Sequence, residues 1–461
     1  MKTDIDSLRS TLESFRDDPD RLIEIILQQS ERIAELMAEV AALKQQLSDL
    51  EQKPPGSTAP FRIEDRKRAS NPKKPGRKGG HKGSYRKAPA ETEQITVPLS
   101  CCPQCGGEVA DVQAVKQVIE EIPPVELKVI GLTTFKGCCA KCGEVRSTHP
   151  LQVSTAVGAA GVHLGPNALS ILLQLQHRWH LSKRKTCQIA KELFGLSITP
   201  GGLVSTTHRL AEKLESNYEG LKEQAQSAAV LYSDETSWYV GAPGYTLWVF
   251  THGQLTLYRV VATRNRDELQ DTVGKDFAGV LVSDCLSIYD DATPNQHKCY
   301  SHHLKAISEA IRKHPEGGSG FLMKVKVLLK TAMAVKELKN ETDPKTYQKW
   351  CDNLEKWADR LLLTNPRGQP QEEAVRNRLC KQRDHLFTFL QHDQVDATNN
   401  LAERQLRPAV IARKISCGNR TDKGAKTWET LASLATTCAQ TGKSFGDMII
   451  EVLALDPVSS A

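Results

Sequence analysis

Three acidic residues stand where carboxylates could act together. Ala229-Val230-Leu231-Tyr232-Ser233 is a short apolar run that meets Asp234, and Gly279-Val280-Leu281-Val282-Ser283 is a second that meets Asp284. Near-continuous apolar runs bounded by polar residues suit strands covered on both faces. Ligands of open α/β sheets gather outside the carboxyl ends of such strands. Each run is therefore expected to be a buried strand with an acid at its carboxyl end. Glu235 follows Asp234, and because successive strand residues point to opposite faces, only one of the two faces the site. We assign Asp234, with Glu235 as the alternative. The third acid is Glu403, in Asp396-Ala397-Thr398-Asn399-Asn400-Leu401-Ala402-Glu403-Arg404-Gln405-Leu406-Arg407-Pro408. Thr398 or Asn399 can cap a helix there, placing Asn400, Glu403, Arg404 and Arg407 on one face, with Leu401, Ala402 and Leu406 turned toward a core. Three carboxylates suit hard divalent cations such as Mg²⁺ or Mn²⁺. Two such ions can clamp the attacking and leaving oxygens of a phosphoryl transfer, and Arg404 and Arg407 could hold phosphates by charge-assisted hydrogen bonds. The plainer alternative is a Glu403–Arg407 pair at i+4, worth a few tenths of a kcal/mol. It leaves the two aspartates unexplained.

A second chemistry lies in the cysteines, thirteen in all. Cys102-Pro103-Gln104-Cys105 and Cys139-Ala140-Lys141-Cys142 are two C-x-x-C knuckles, each followed by glycine. In a long chain without a secretion signal such pairs favour metal over disulfides. Four thiolates make the closed tetrahedral set of a structural Zn²⁺ site; a redox pair or free thiols is the alternative. The segment between them carries strand-like pieces such as Leu127-Lys128-Val129-Ile130. Cys101 and Cys138 precede ligands and read as spectators. Cys299 and His302 have metal-ligand spacing without partners nearby, and read as packing and hydrogen-bonding residues.

The elements that must position the acids follow. Tyr245 to Thr251 and Leu255 to Val261, separated by His252-Gly253-Gln254, read as a hairpin, and a helix is expected around Asp267 to Gly274. Strand, hairpin, helix, strand, with acids on the first and fourth strands, is the pattern of a ribonuclease-H-like fold. The expected class is a multidomain α+β protein whose α/β core of that type spans 223–303. It is interrupted by a helical insertion over 304–392 and completed by 393–461, which carries Glu403. Lys298 to His303 reads as a further strand end. Within the insertion, Phe321 to Val335, Tyr347 to Leu363 and Glu373 to Leu390 are amphipathic. Upstream, over 160–222, helices are expected at Ala168 to Leu175, Thr186 to Leu193 and Leu203 to Leu214. Thr199-Pro200 is a helix-start signal. This layout resembles a helix-turn-helix whose last helix could enter a major groove; simple packing beside the core explains it equally well.

The chain of 461 residues, 39% hydrophobic and 25% charged, can hold two or three cores. Its net charge of +6 is unevenly spread, because Arg62 to Lys87 holds eleven Lys or Arg against two acids. This basic linker, 53–95, has too few apolar residues to order alone. Lys73, Lys74, Arg77, Lys78 and Lys82 could follow a phosphate backbone; a merely solvated linker is the alternative. Over 1–52, Leu22, Leu36, Leu43 and Leu50 form one sevenfold series and Ile26, Ile33, Val40 and Leu47 another, with Gln29 between. That is the seam of a coiled coil, and self-association is expected, against the alternative of one helix packed on its own domain. The zinc segment occupies 96–150. No run of 18 apolar residues occurs, and Met1 opens a polar stretch without a signal peptide, so a cytoplasmic protein without membrane contact is expected.

Taken together, Asp234-Glu235-Thr236-Ser237-Trp238, the run ending at Asp284, Cys299-x-x-His302 and the stretch Asn399 to Pro408 resemble transposases of the insertion-sequence-66 type. The resemblance extends to the coiled coil, the Lys74-Pro75-Gly76-Arg77 stretch, the two knuckles and the helical region before the core. It implies a DDE catalytic domain with Asp234, Asp284 and Glu403 as its acids. It further implies Mg²⁺-dependent cleavage at the ends of the element, attack of the freed 3′-hydroxyl on target DNA, and small companion proteins. The chain departs from the family pattern at Cys285, where glycine is common, and at Lys305, where arginine is. A transposase-derived DNA-binding protein or repressor without catalysis is the alternative from another class, and it would not need all three acids. A metal-dependent nuclease that cuts without joining shares them.

Overall fold

The structure, a computed structural model, describes residues 89–153, 163–313, 320–363 and 370–455. The heptad segment 1–52 and the basic residues Lys73, Lys74, Arg77, Lys78 and Lys82 lie outside them. The chain falls into two units, Met1–Val118 and Ile119–Ala461. In the first, the described residues 89–118 contain the first knuckle as a tight turn, with the Gly106 N–H donating to the Cys102 carbonyl at 2.8 Å.

The second unit opens with the second knuckle between strands β1 (Lys136–Cys139) and β2 (Gly143–Arg146), an antiparallel hairpin. Leu127 to Ile130, expected as strand-like, belongs to no strand. Among the described residues it has no partner strand, and an isolated extended run has no ladder to form. Four helices follow: α1 (Pro166–His177), α2 (Lys183–Phe194), α3 (Pro200–Lys213) and α4 (Glu215–Gln226). Thr199 caps α3 by accepting the Gly202 N–H at 3.1 Å, with Pro200 at the first helical position. Leu172, Cys187, Ala190 and Leu203 form a small core among α1, α2 and α3.

The centre is a mixed sheet of β3 (Val230–Val240), β4 (Ala242–His252), β5 (Leu255–Val261), β6 (Val280–Ser283) and β7 (Gln296–Lys298), ordered β5-β4-β3-β6-β7. Helix α5 (Arg266–Val273) lies in the chain between β5 and β6. β3, β4 and β5 pair antiparallel, whereas β3, β6 and β7 pair parallel. After β7 come α6 (Tyr300–Lys313), α7 (Gly320–Glu337), α8 (Pro344–Leu363), α9 (Pro370–Lys381) and the short α10 (Thr388–Gln391). The chain then returns to the sheet with α11 (Asn400–Ser416), α12 (Asp422–Gln440) and α13 (Phe445–Leu455).

Strand alternation divides the core in two. Val230, Tyr232, Trp238 and Val240 of β3 join the core that includes Tyr300, Leu322, Leu354, Ala402 and Leu406. Leu231 of β3 faces the other side, with Trp248, Phe250, Tyr218, Leu269 and Leu281. The free edge at β5 is closed by side chains of α12. Thr437, Ser433 and Glu429 accept the N–H groups of Thr256 (3.0 Å), Tyr258 (2.8 Å) and Val260 (2.7 Å). The fit is geometric: four helical residues rise about 6 Å, and two strand residues advance about 6.6 Å. Polar residues at i, i+4 and i+8 of α12 therefore stay in step with alternate N–H groups of an edge strand running the other way. This leaves no template for edge-to-edge pairing there.

Candidate active site

β3 does not stop at Asp234. Its parallel pairing with β6 covers Val230 to Tyr232 only, while its antiparallel pairing with β4 continues to Val240. Asp234 thus sits where the parallel half of the sheet ends, just past the partnered stretch, and Asp284 follows the last residue of β6. Both acids lie at the edge expected from the strand ends, although one of the strands runs on.

Asp234 and Glu235 point to opposite faces. Glu235 is held by the Tyr289 hydroxyl at 2.5 Å and by an ion pair with Arg264, and its side chain is nearly buried. Asp234 is on the face that packs against α11. Its carboxyl is pushed up to about 7, first by burial and then by the negative charges of Glu235, Asp284 and Glu403, although the Glu235 N–H donates to it at 2.9 Å and opposes the rise. The three acids are therefore within electrostatic reach of one another. His302 feels two of them: its pKa is raised first by the neighbouring Cys299 sulfur, with Asp284 and Glu403 adding.

Glu403 is set by the start of α11, which the sequence placed correctly but explained in part wrongly. Asn399 is at the cap position, yet its side chain makes no cap hydrogen bond. It is fully buried and donates from Nδ2 to the Ser233 carbonyl at 2.7 Å. Its N–H donates to Cys299 Sγ at 3.1 Å, and its carbonyl accepts the Glu403 N–H at 3.2 Å. One residue thus ties β3 beside Asp234, the β7–α6 junction and the first turn of α11. Arg413, three turns on, bonds Thr236 Oγ1 at 2.9 Å and the Ser237 carbonyl, fixing the far end of the helix to the same strand. Ala402, Leu406 and Ala409 face the core, and Arg404 and Arg407 are exposed, the split of faces expected from the spacing.

Lys298 is a residue the sequence reading passed over. It is wholly buried at the end of β7 and lies 3.7 Å from Asp290, and burial pulls its pKa down. Its lone signal was a lysine in a run otherwise read as strand. Cys285, which follows Asp284, is a half-buried thiol pushed up to about 11 by burial, with His303 Nε2 3.6 Å away.

Among the described residues no three His, Cys, Asp or Glu side chains form a ready-made metal cage. The donor chemistry nonetheless suits a hard cation: the carboxylates of Asp234, Asp284 and Glu403 share one region, and the buried cation nearby, Lys298, is matched to Asp290. One knuckle lies in each of the two units. In each, the first cysteine thiol is lowered by backbone N–H groups, those of Cys105 and Gln104 for Cys102 and those of Lys141 and Cys142 for Cys139. Gly106 and Gly143 take the positive φ that each turn requires (73° and 75°).

The chain belongs to a family of transposases. The model of the transposase IS66 family matches residues 161–427, more than half of the chain, and the chain is a member of that family. It is also similar to the protein named "Uncharacterized protein y4qI" of Sinorhizobium fredii, with 23% identity over 294 residues, covering 56% of this chain and 53% of that protein. The chain spans about half the length of this curated relative. Among the described residues no helix is long and apolar enough to cross a membrane.

Proposed function

We propose that this protein cuts and joins DNA at the ends of an insertion sequence, with Asp234, Asp284 and Glu403 as its catalytic acids on a ribonuclease-H-like core. The observation that carries the reading is the position of the half-buried Asp234 just past the parallel-paired end of β3, of Asp284 just past the end of β6 and of Glu403 on the first turn of α11, with Asp284 and Glu403 both acting on the Asp234 carboxyl, in a chain of the transposase IS66 family. Asp234, Asp284 and Glu403 would hold Mg²⁺ or Mn²⁺, which would supply charge stabilisation for the attacking and leaving oxygens. Asn399 keeps the Asp234 strand and the Glu403 helix in register. Arg404 and Arg407, exposed beside Glu403, bind phosphates and set the scissile strand over the acids. The basic residues Lys73, Lys74, Arg77, Lys78 and Lys82 would add sequence-independent affinity. The knuckle residues Cys102, Cys105, Cys139 and Cys142 bind Zn²⁺, residues 1–52 bring copies together, and companion proteins of the element assist. The protein works in the cytoplasm.

The test is strand transfer by purified protein with Mg²⁺ and a labelled duplex bearing the ends of its own element. Asp234→Asn, Asp284→Asn and Glu403→Gln should each abolish joined product while leaving binding. If all three variants still join strands, the assignment of the acids is wrong.

A further inference from the structure

Between Glu144 and Glu192 the chain holds no Asp or Glu but six Lys or Arg, four of them at Arg178, Lys183, Arg184 and Lys185. In their midst Trp179 is 67% exposed. An indole standing in water forgoes the burial that large aromatics normally gain. It is not on a loose loop. The Arg178 and Trp179 N–H groups donate to the Gln174 carbonyl at 2.9 and 3.1 Å, and the Leu181 N–H reaches back to the Leu175 carbonyl at 2.9 Å. His180 takes the left-handed conformation that such a helix end requires (φ 55°). Ser182 then caps α2, accepting the Lys185 N–H at 3.4 Å. The turn between α1 and α2 is thus locked at both ends, with the indole facing outward. Among the described residues no ion pair engages Arg178, Arg184 or Lys185, whereas Lys183 is bonded inward to Gln176. The turn also abuts the helix that carries Glu403, since His177 and His180 line one narrow cleft with Pro408 and Ala409 of α11.

We infer that the Trp179 turn receives an unpaired nucleotide of DNA. The indole stacks on the base, and Arg178, Arg184 and Lys185 take the flanking phosphates. Every base has a stacking face, but in a duplex those faces are covered, so a fixed outward indole set among cations suits a frayed or single-stranded end. The inference rests on the transposase reading in taking DNA as the partner. It adds that this partner is opened, and where the opened base goes.

The experiment is equilibrium binding without divalent metal, so that no strand is cut. The full-length protein is titrated by fluorescence anisotropy into two labelled DNAs of the same sequence, one blunt and one with a short single-stranded flap. Wild type should prefer the flapped DNA. Trp179→Ala should lose that preference by about tenfold or more in Kd, Trp179→Phe should keep part of it, and Arg184→Ala with Lys185→Ala should weaken both DNAs alike and flatten the salt dependence. Equal binding of both DNAs by wild type, or an unchanged preference in Trp179→Ala, overturns the inference. So does a change in oligomer mass on Trp179→Ala with DNA binding intact, which would make the turn a contact between copies. Strand transfer by the same preparation is read separately. Joined product together with a null Trp179 effect fails this inference alone. A Trp179 effect without joined product fails the catalytic reading alone.

Discussion

Replacing Asp234 with Asn should stabilise the metal-free protein above neutral pH. The carboxyl is raised from 3.8 to about 7 by burial and by three neighbouring acids. A raised acid favours the folded state when protonated. Its ionisation cost is therefore absent below the unfolded value near pH 4, grows between about 4 and 7, and is fully present above 7. Taken whole, a shift of that size corresponds to roughly 4 kcal/mol, an upper bound because the site is partly open to solvent. A half to a quarter of that, about 1–2 kcal/mol, is the expected gain for an isosteric neutral side chain that can still accept the Glu235 N–H. In a chain of this size that amounts to about 1–2 °C in Tm. The assay is thermal melting in chelator at pH 8 and at pH 4. Asp234→Asn should melt higher than wild type at pH 8 and match it at pH 4. Adding Mg²⁺ should raise wild type more than the variant, since binding to the folded state alone adds stability. A variant that melts at or below wild type at pH 8, or a difference that persists at pH 4, would refute the electrostatic reasoning.

Asn399→Ala should cost about 1–2 kcal/mol by leaving the Ser233 carbonyl short of a buried donor, and should lower strand transfer by far more than it lowers DNA binding, as melting and the two activity assays would show. Glu429→Ala should be among the most damaging substitutions on α12, at about 3–5 kcal/mol. It strips Arg259 (3.3 Å) and the Val260 N–H of their carboxylate acceptor and leaves the Tyr218 hydroxyl only the Tyr258 carbonyl at 2.9 Å, and chemical denaturation would measure the loss. Cys102→Ser or Cys139→Ser should each lower bound zinc, read by metal analysis of the purified protein; full zinc content in both variants would exclude the knuckles as ligands.

The positions of Asp234 and Asp284 in the sheet were legible because each follows a run whose apolar continuity marks a buried strand, and the hairpin was legible from its turn residues. β3 was read too short because Glu235-Thr236-Ser237 looks like a loop. Only the antiparallel partner β4, lying outside that local window, keeps those polar residues in a strand. Asn399 misled in another way. Asn before a helix ordinarily caps it, and nothing local reveals that its amide is spent on Ser233, far away in sequence. The polar helix α4 escaped notice because Tyr218, Leu221 and Ala225 alone turn inward. Tyr300 to His303, expected as part of a strand end, is instead the first turn of α6, its periodicity hidden behind two histidines, of which His303 is the buried one. Lys298 could not be found from its neighbours in sequence, since its burial depends on Asp290 across the site. Pattern reports which residues leave water; the partner they leave it for is a property of the assembled sheet.

The most direct test of the central claim is metal-directed cutting of the polypeptide. Fe²⁺ would be substituted for Mg²⁺ and supplied with ascorbate and peroxide, so that radicals formed at the bound ion sever nearby backbone. If Asp234, Asp284 and Glu403 surround one centre, the chain should be cut at three separated places, next to each acid. Excess Mg²⁺ should suppress all three cuts together, and Glu403→Gln should weaken all three. Cutting beside only one of the acids, or cuts that respond to Mg²⁺ independently, would contradict the claim that these residues form a single metal-holding site.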